Sequence, residues 1–358
     1  MSGSIKIFLG ASPRSCGTRY NQPCRPMARV FVGIDAGGSG TRAALANADG
    51  EVLQVGEGGP SNHLTGEAGR RRLQGALASA IEPLVPLAGD GECVVHAGVT
   101  GVSIPGKREG VIESIRALLP RAVVHVSHDA SAAVVGALAG REGIGVLAGT
   151  GAIALARTAD GREARAGGYG YLLSDEGAAF GIAQRAVADV MRAVDGRGPA
   201  TRLTELFCQH LGLDDVRHLP GWLYAAPDPV ERLCPLAPLV AVVAEQRDQV
   251  ALRIFEEAGA ALAEVAAAAA RLLWSGSVPH GLPVATCGGV WKAGTVLREP
   301  FERALRRQLP DPIITSPAMS PIAGALLLAM CADGLTLETE RVQRVRKSMR
   351  EHLDEPVL

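Results

Sequence analysis

Residues 30–45 read VFVGIDAGGSGTRAAL, and the reading of this stretch decides the fold. Val30, Phe31, Val32 and Ile34 are apolar and β-favouring, so the first half predicts a buried strand. Asp35 follows, and then Gly37, Gly38, Ser39 and Gly40 lead to Thr41. Backbone that carries so little side chain can turn sharply and offer bare N–H groups to an anion. An acid just ahead of the turn can serve a divalent cation travelling with that anion. The stretch therefore predicts a phosphate loop, with Gly37, Gly38, Ser39, Gly40 and Thr41 around the phosphates and Asp35 towards the metal. Taken alone it also fits a plain glycine hairpin with an exposed acid.

Two commoner phosphate motifs are excluded by what surrounds it. No lysine follows the glycines, so the loop is not of the G-x-x-x-x-G-K-[ST] type. Gly38, Gly40 and Ala43 do satisfy G-x-G-x-x-A, but that dinucleotide fingerprint must open a crossover helix. Asp49-Gly50, a hairpin signal between two apolar runs, leaves no room for one.

The rest of the chain fits an enzyme of two domains. Its 358 residues exceed one ordinary core. With 47% hydrophobic and 20% charged residues it has the composition of a globular protein. A net charge of −1 supplies no field for nucleic acid or anionic membrane. Only Lys6, Lys107, Lys292 and Lys347 are lysines; arginine carries the positive charge. The seven cysteines are scattered without a C-x-x-C pair, a pattern expected of reduced thiols in the cytoplasm. No apolar run has transmembrane length.

Residues 1–28 are aperiodic and are expected to form a disordered leader, with Met27 a candidate initiator. Strands are predicted at 30–34, 42–48, 51–55, 94–99 and 122–126, and helices over 70–81 and 109–119. A second series then begins. A strand at 144–148 ends in Gly149-Thr150-Gly151, and strands at 153–157 and 163–166 flank Asp160-Gly161. This repeats the design of residues 30–55 and predicts a duplicated α/β domain. The expected division is 29–140 and 141–333, the latter with a helical insertion, and a charged tail over 334–358.

Five groups of residues can carry chemistry. Gly149, Thr150 and Gly151 end a buried strand as the first loop does, and a polyphosphate held between two domains needs donors from both. Asp129 closes a strand and opens a helix, the place of an N-cap and equally of a general base facing a cleft. Asp175-Glu176 can cap the next helix or hydrogen-bond a polyol, and Asn62-His63 admits the same two readings. Gly288-Gly289, between a strand and a helix, leaves space for a flat ring or allows close packing.

Taken together, these residues resemble a known superfamily. Ile34-Asp35-Ala36-Gly37-Gly38-Ser39-Gly40-Thr41 is similar to the first phosphate motif of actin, hexokinase and Hsp70. Gly149-Thr150-Gly151 is similar to the second, and Cys287-Gly288-Gly289-Val290 to the adenosine motif. Ser61-Asn62-His63, Asp129-Ala130, Gly168-Tyr169-Gly170 and Asp175-Glu176-Gly177 resemble, in order and spacing, the N-acetylglucosamine kinase and bacterial glucosamine kinase branch of the BadF/BadG/BcrA/BcrD ATPases.

The resemblance implies two ribonuclease-H-like (actin-like ATPase) domains with a cleft between them, ATP and Mg2+ as cofactors, and phosphorylation of an amino sugar at its 6-hydroxyl. It implies Asp129 as base, Asn62, His63, Gly151 and Asp175 around the sugar, Asp35 near magnesium, and a homodimer. Ala152 and Ile153 replace a Ser-Asn pair of the mammalian kinases, and Leu64 an aromatic residue; both departures fall on the sugar side. A kinase for a muramic-type sugar, a dehydratase-activating ATPase with an iron–sulfur cluster, and an actin-like switch are the alternatives.

Overall fold

In the computed structural model, which describes residues 29–38, 40–61, 66–88, 91–225, 227–275 and 277–353, the 30–45 stretch is the first hairpin of a sheet. The expected leader at 1–28, and the site candidates Ser39, Asn62 and His63, lie outside the described residues. Strands β1 (Val30–Ala36), β2 (Thr41–Ala46), β3 (Val52–Gly58), β4 (Cys93–Val99) and β5 (Val123–His128) form a five-stranded sheet in the order β3-β2-β1-β4-β5. β1 pairs antiparallel with β2 and parallel with β4, in register Ala36↔Thr41 and Ala36↔Val99. The glycine loop thus closes a hairpin, and the dinucleotide-type crossover is absent, as the Asp49-Gly50 turn requires.

The second sheet repeats this plan. Strands β6 (Gly143–Ala148), β7 (Ala152–Arg157), β8 (Glu163–Gly167), β9 (Pro283–Cys287) and β10 (Ile313–Thr315) take the order β10-β9-β6-β7-β8. The β6–β7 and β7–β8 pairs are antiparallel and the β6–β9 and β9–β10 pairs parallel, matching β1–β2, β2–β3, β1–β4 and β4–β5. The duplication expected from the two glycine turns is present in strand order and direction.

Helices α1 (Gly66–Ile81), α2 (Val85–Ala88) and α3 (Lys107–Leu118) cover one face of the first sheet. There they bury Leu73, Leu77 and Ile81 against Val32, Ile34 and Ala36. After α4 (Asp129–Ala137) and the second hairpin comes the helical insertion, α5 (Ala179–Val194), α6 (Leu203–Leu211), α7 (Leu219–Tyr224), α8 (Pro229–Leu233), α9 (Ala237–Glu245) and α10 (Gln249–Trp274). α11 (Thr295–Arg306) lies between β9 and β10 and packs on α10, where Phe301 is fully buried. Periodicity missed α2, α7, α8 and α9: the first three have too few residues to show an apolar stripe, and α9, APLVAVVAE, is apolar on most sides. No helix among the described residues is long and apolar enough to cross a membrane.

The last two helices, α12 (Pro321–Ala332) and α13 (Thr339–Leu353), return to the first sheet, so packing does not follow the division by chain order at residue 140. The cause is in the α12 sequence. Ile322 to Met330 are all buried, and a helix apolar on every side needs cover all round. It lies against Phe31, Ala44 and Val94 on one side and Ala132 and Val135 of α4 on the other. α4 in turn reaches the second sheet, where Val134, Ala137 and Leu138 cluster with Leu155 and Ala285. α12 therefore packs on the sheet of the other half, and α4 is shared between the two sheets.

The two helix–strand contacts correspond in detail. A Cβ on Gly33 would lie 2.3 Å from Leu326 N, and one on Gly145 would lie 2.2 Å from Val134 Cγ2. Each glycine stands three residues before the end of its sheet's first strand, and each partner is the sixth residue of its helix. Where α4 and α12 cross, a Cβ on Gly324 would sit 1.9 Å from Ala132 O. The charged tail forms α13. It buries Val342, Val345 and Met349, and Ser348 Oγ accepts the Val52 N–H at 3.0 Å.

Overpacking of this kind typically costs about 1–3 kcal/mol or more, because the backbone must move. Gly324→Ala is therefore expected to lower the thermal midpoint by several degrees. Gly75→Ala, in the open interior of α1 with nothing within 4 Å of the new methyl, is expected to raise it slightly. Equal midpoints for the two variants in a calorimetric scan would remove the crossing as the constraint.

Candidate active site

Alternation along β1 decides where Asp35 points. Val32, Ile34 and Ala36 belong to the face under α1 and α3, and Phe31 to the face under α12. Asp35 therefore leaves the sheet on the α4 and α12 side, at the carboxyl end of the strand, where open α/β sheets bind ligands. Its environment is unfavourable for charge. Burial, then the nearby Asp129 carboxylate, raise its pKa to about 7, against a smaller opposing pull from Arg42.

Asp129 is the first residue of α4, at the carboxyl end of β5. Burial pushes its carboxyl up, but hydrogen bonds from His128, Thr100 and the Ala130 N–H outweigh burial and hold it below the ordinary carboxylate value. His128 Nδ1 is 2.5 Å from Asp129 Oδ1, a separation that needs the imidazole proton on Nδ1. The Ala130 N–H, 3.2 Å from that nitrogen, then serves Asp129 Oδ1 at 2.9 Å. Thr100 Oγ1 donates to Oδ2. The side chain is 29% exposed, so its remaining lone pairs can be reached. The two acids are thus brought together with opposite properties, one held ionised and the other close to half-protonated at neutral pH.

The first loop is tied to this pair. Gly37 N–H donates to Gly40 O at 3.0 Å, and Ser61 binds Gly37 O through both its N–H at 3.1 Å and its Oγ at 2.9 Å. Gly38 is exposed and has nothing within 4 Å of a built Cβ, so its backbone is open to a ligand. Thr41 is buried on the Ala36 face, away from Asp35, and its hydroxyl has no partner among the described residues.

The second loop holds a corresponding set. Gly149 N–H donates to Gly151 O at 2.9 Å, and Thr150 is exposed. Asp175, buried at 7% exposure, accepts the Ala152 N–H at 3.0 Å and lies within 3.1 Å of where a Gly151 Cβ would be. Burial raises its pKa, the Ala152 N–H lowers it, and Glu176 adds to the rise. Asp175, expected to line the sugar pocket with Gly151, stands against Gly151 as a brace of the loop. Glu176 is exposed on a separate groove between α5 and α10 with Gln184 and Glu257, and the structure does not bring it to Asp129. Gly288 and Gly289 divide the two readings between them. A Cβ on Gly288, at φ +103°, would meet Ala148 O at 2.4 Å, whereas Gly289 faces open space.

Reading the motifs alone missed Thr100, His128 and Lys107. Thr100 had a usable signal: in parallel register Val99 pairs with His128, so the next residue of β4 stands beside Asp129. Lys107 opens α3 and interacts electrostatically with Asp129, a contact made only by the fold.

This geometry has known counterparts. The model of the BadF/BadG/BcrA/BcrD ATPase family matches residues 32–329. A Clostridium acetobutylicum N-acetylmuramic acid/N-acetylglucosamine kinase is 29% identical over 311 residues, covering 84% of this chain and 98% of its own. A Dictyostelium discoideum N-acetyl-D-glucosamine kinase is 26% identical over 315 residues, covering 84% and 98%. The crystal structure of a Chromobacterium violaceum protein, provisionally assigned as an N-acetylglucosamine kinase, superposes with a TM-score of 0.64 at 30% identity, covering 84% of this chain and 99% of that one. With the family model spanning most of its length and both sheets in place, the chain belongs to the BadF/BadG/BcrA/BcrD ATPase family.

Proposed function

We propose that this protein is an ATP-dependent amino-sugar kinase that transfers the γ-phosphoryl group to the 6-hydroxyl of an N-acetylglucosamine- or glucosamine-type sugar in the cytoplasm. The observation that carries the reading is the Asp129 carboxylate, kept ionised by Thr100, His128 and Ala130 and open at the carboxyl ends of the parallel strands. A carboxylate held in that state can accept the acceptor's hydroxyl proton and align its oxygen with the phosphoryl group. Its low basicity suits a loose transition state, in which the proton leaves late and positioning supplies most of the acceleration.

The roles divide by sheet. Backbone amides of Gly37, Gly38, Ser39 and Gly40 with Thr41, and of Gly149, Thr150 and Gly151, hold the phosphates from two sides. Gly289 leaves room for the adenine against Gly288. Asn62, His63, Gly151 and Asp175 are assigned to the sugar side, Asp175 acting through the loop it braces. Asp35 fits a magnesium site: a buried carboxyl beside a second carboxylate is relieved by a divalent cation. Bound there, Mg2+ would neutralise charge on the phosphates. Closure of the two lobes over both substrates would exclude water and favour transfer over hydrolysis. The relatives are named for acetylated glucosamine and, in Clostridium, for muramic acid as well. The active form is expected to be a homodimer.

Asp129→Asn should lower sugar phosphorylation by roughly 10²–10⁴-fold, the usual worth of a positioned base, while nucleotide binding persists. Near-normal turnover in an ADP-release assay would end the assignment. Thr100→Val removes one charge-assisted hydrogen bond, of about 1.5–3 kcal/mol. It should lower kcat roughly tenfold or more and move the acid limb of the pH–rate profile to higher pH. An unmoved limb would separate Thr100 from the base.

Asp35 makes a prediction of opposite sign. Its folded pKa, about 7, lies above its ordinary 3.8, so its contribution favours the fold at low pH and is lost as pH rises from about 4 to 7. With chelator and no nucleotide, the wild type should lose thermal stability relative to Asp35→Asn between pH 5 and pH 8. Adding Mg2+ and nucleotide should restore the wild type alone. Parallel melting curves across that range would refute the burial of an uncompensated acid.

A further inference from the structure

The duplicated fold supplies an internal comparison at the places where α12 meets the β2–β3 hairpin and α4 meets the β7–β8 hairpin. Gly33 and Gly145 set the alignment. Two residues before them, Phe31 pairs with Ala46 and Gly143 with Arg157, so Ala46 corresponds to Arg157. Across the next pairing, Val52 corresponds to Glu163. The third residue of α12, Ala323, corresponds to the third residue of α4, Ser131.

In the first sheet all three positions are apolar: Ala46, Val52 and Ala323 are buried in one cluster. In the second sheet all three are polar and joined to one another. Ser131 Oγ donates to Glu163 Oε2 at 2.7 Å, and Arg157 Nη1 donates to Glu163 Oε1 at 2.6 Å. Ser131 and Arg157 are buried, and the Glu163 side chain is 25% exposed.

Packing does not ask for this difference. Apolar contacts hold the same three positions in the other half, and alanine suits a helix interior better than serine. α4 reads DASAAVVGA, so after Asp129 its one side chain that can hydrogen-bond is Ser131. A helical serine commonly bonds back to a carbonyl of the preceding turn. Ser131 instead leaves its helix for a carboxylate of the other lobe. A hydrogen bond to a charged acceptor fixes distance and angle, whereas apolar contacts allow sliding. The polar set also stands in the half whose helix carries the base. The first turn of α4 is thus held from both lobes. Thr100, just past β4, holds Asp129, and Glu163, at the start of β8, holds Ser131 two residues on.

We propose that Glu163 is a positioning residue for phosphoryl transfer: through Ser131 it fixes the first turn of α4 on the second sheet, so that closure of the lobes brings Asp129 to the acceptor hydroxyl at one angle. Arg157 holds the Glu163 carboxylate in place and balances its charge. Glu163 acts on the base through the helix and takes no proton itself. This deepens the kinase reading and rests on it.

The test is a pair of double-substitution cycles, read as ADP release with N-acetylglucosamine and with glucosamine. Ser131→Ala and Glu163→Ala should each lower kcat by roughly 10- to 100-fold, as a small misplacement of a catalytic group does. KM for sugar and for ATP should stay near the wild-type values. Combining the two should cost no more than either alone, because they remove the same bond. Glu163→Gln keeps an acceptor for the hydroxyl and should retain more of the rate. In the Asp129→Asn background, where no carboxylate remains to be aimed, Ser131→Ala should leave the residual rate unchanged. Near-normal kcat in Ser131→Ala and Glu163→Ala, a loss that falls on KM alone, or a loss that multiplies with that of Asp129→Asn overturns the positioning role and leaves the kinase standing. A wild type that releases ADP with neither sugar overturns the kinase reading, and the positioning role with it.

Discussion

The crossing of α4 and α12 is the constraint on which the rest of the molecule depends. α12, from the second half of the chain, is packed on the first sheet, and α4 is wedged between the two sheets. Backbones can approach so closely only where side chains are missing, which is why Gly33, Gly145 and Gly324 stand at the contacts. The apolar surface at this junction belongs to both lobes at once. The lobes are thereby joined by a packed core, and any relative motion must be a small rotation about that core rather than a free linker swing.

The same crossing sets the chemistry. Asp129 is the first residue of α4, so its position relative to β1 and Asp35 is inherited from how α4 seats between the two sheets. Two carboxylates near one another cannot both ionise cheaply. The structure resolves this by unequal support. Asp129 receives three hydrogen bonds and keeps its charge, while Asp35 receives none of them and is pushed to about 7. The difference leaves Asp129 in the state that the proposed base requires and Asp35 in the state that a cation would relieve. Lys107 adds a third charge to this balance from a helix that the glycine loops give no reason to consider.

The fold was legible to the extent that it depends on local pattern. A strand, a glycine turn and an Asp-Gly hairpin at 30–55, repeated at 144–166, were enough to anticipate two sheets of the same order. Within the site, Asp35, Asp129 and both glycine loops were found for the same reason, since each sits at a strand end, where neighbouring residue types announce the turn. Thr100 was missed because a lone threonine carries no pattern; only the Val99↔His128 register puts it beside Asp129. Glu176 was grouped with Asp175 by adjacency. A left-handed backbone at Asp175, φ +75°, turns the acid inward to brace Gly151 and leaves Glu176 outside.

By itself, then, the sequence determined most element types, the duplicated α/β plan, the two glycine loops and the position of the candidate base. All of these follow from interactions between residues close in the chain. Only the tertiary structure decided that α12 packs on the first sheet with α4 between the two, that Asp35 and Asp129 differ in charge state, and that Glu163 reaches Ser131. The reason is physical. Burial, coulombic coupling and close packing depend on distances between segments far apart in sequence, and the opening stretch at 30–45 carries no record of what is packed against it.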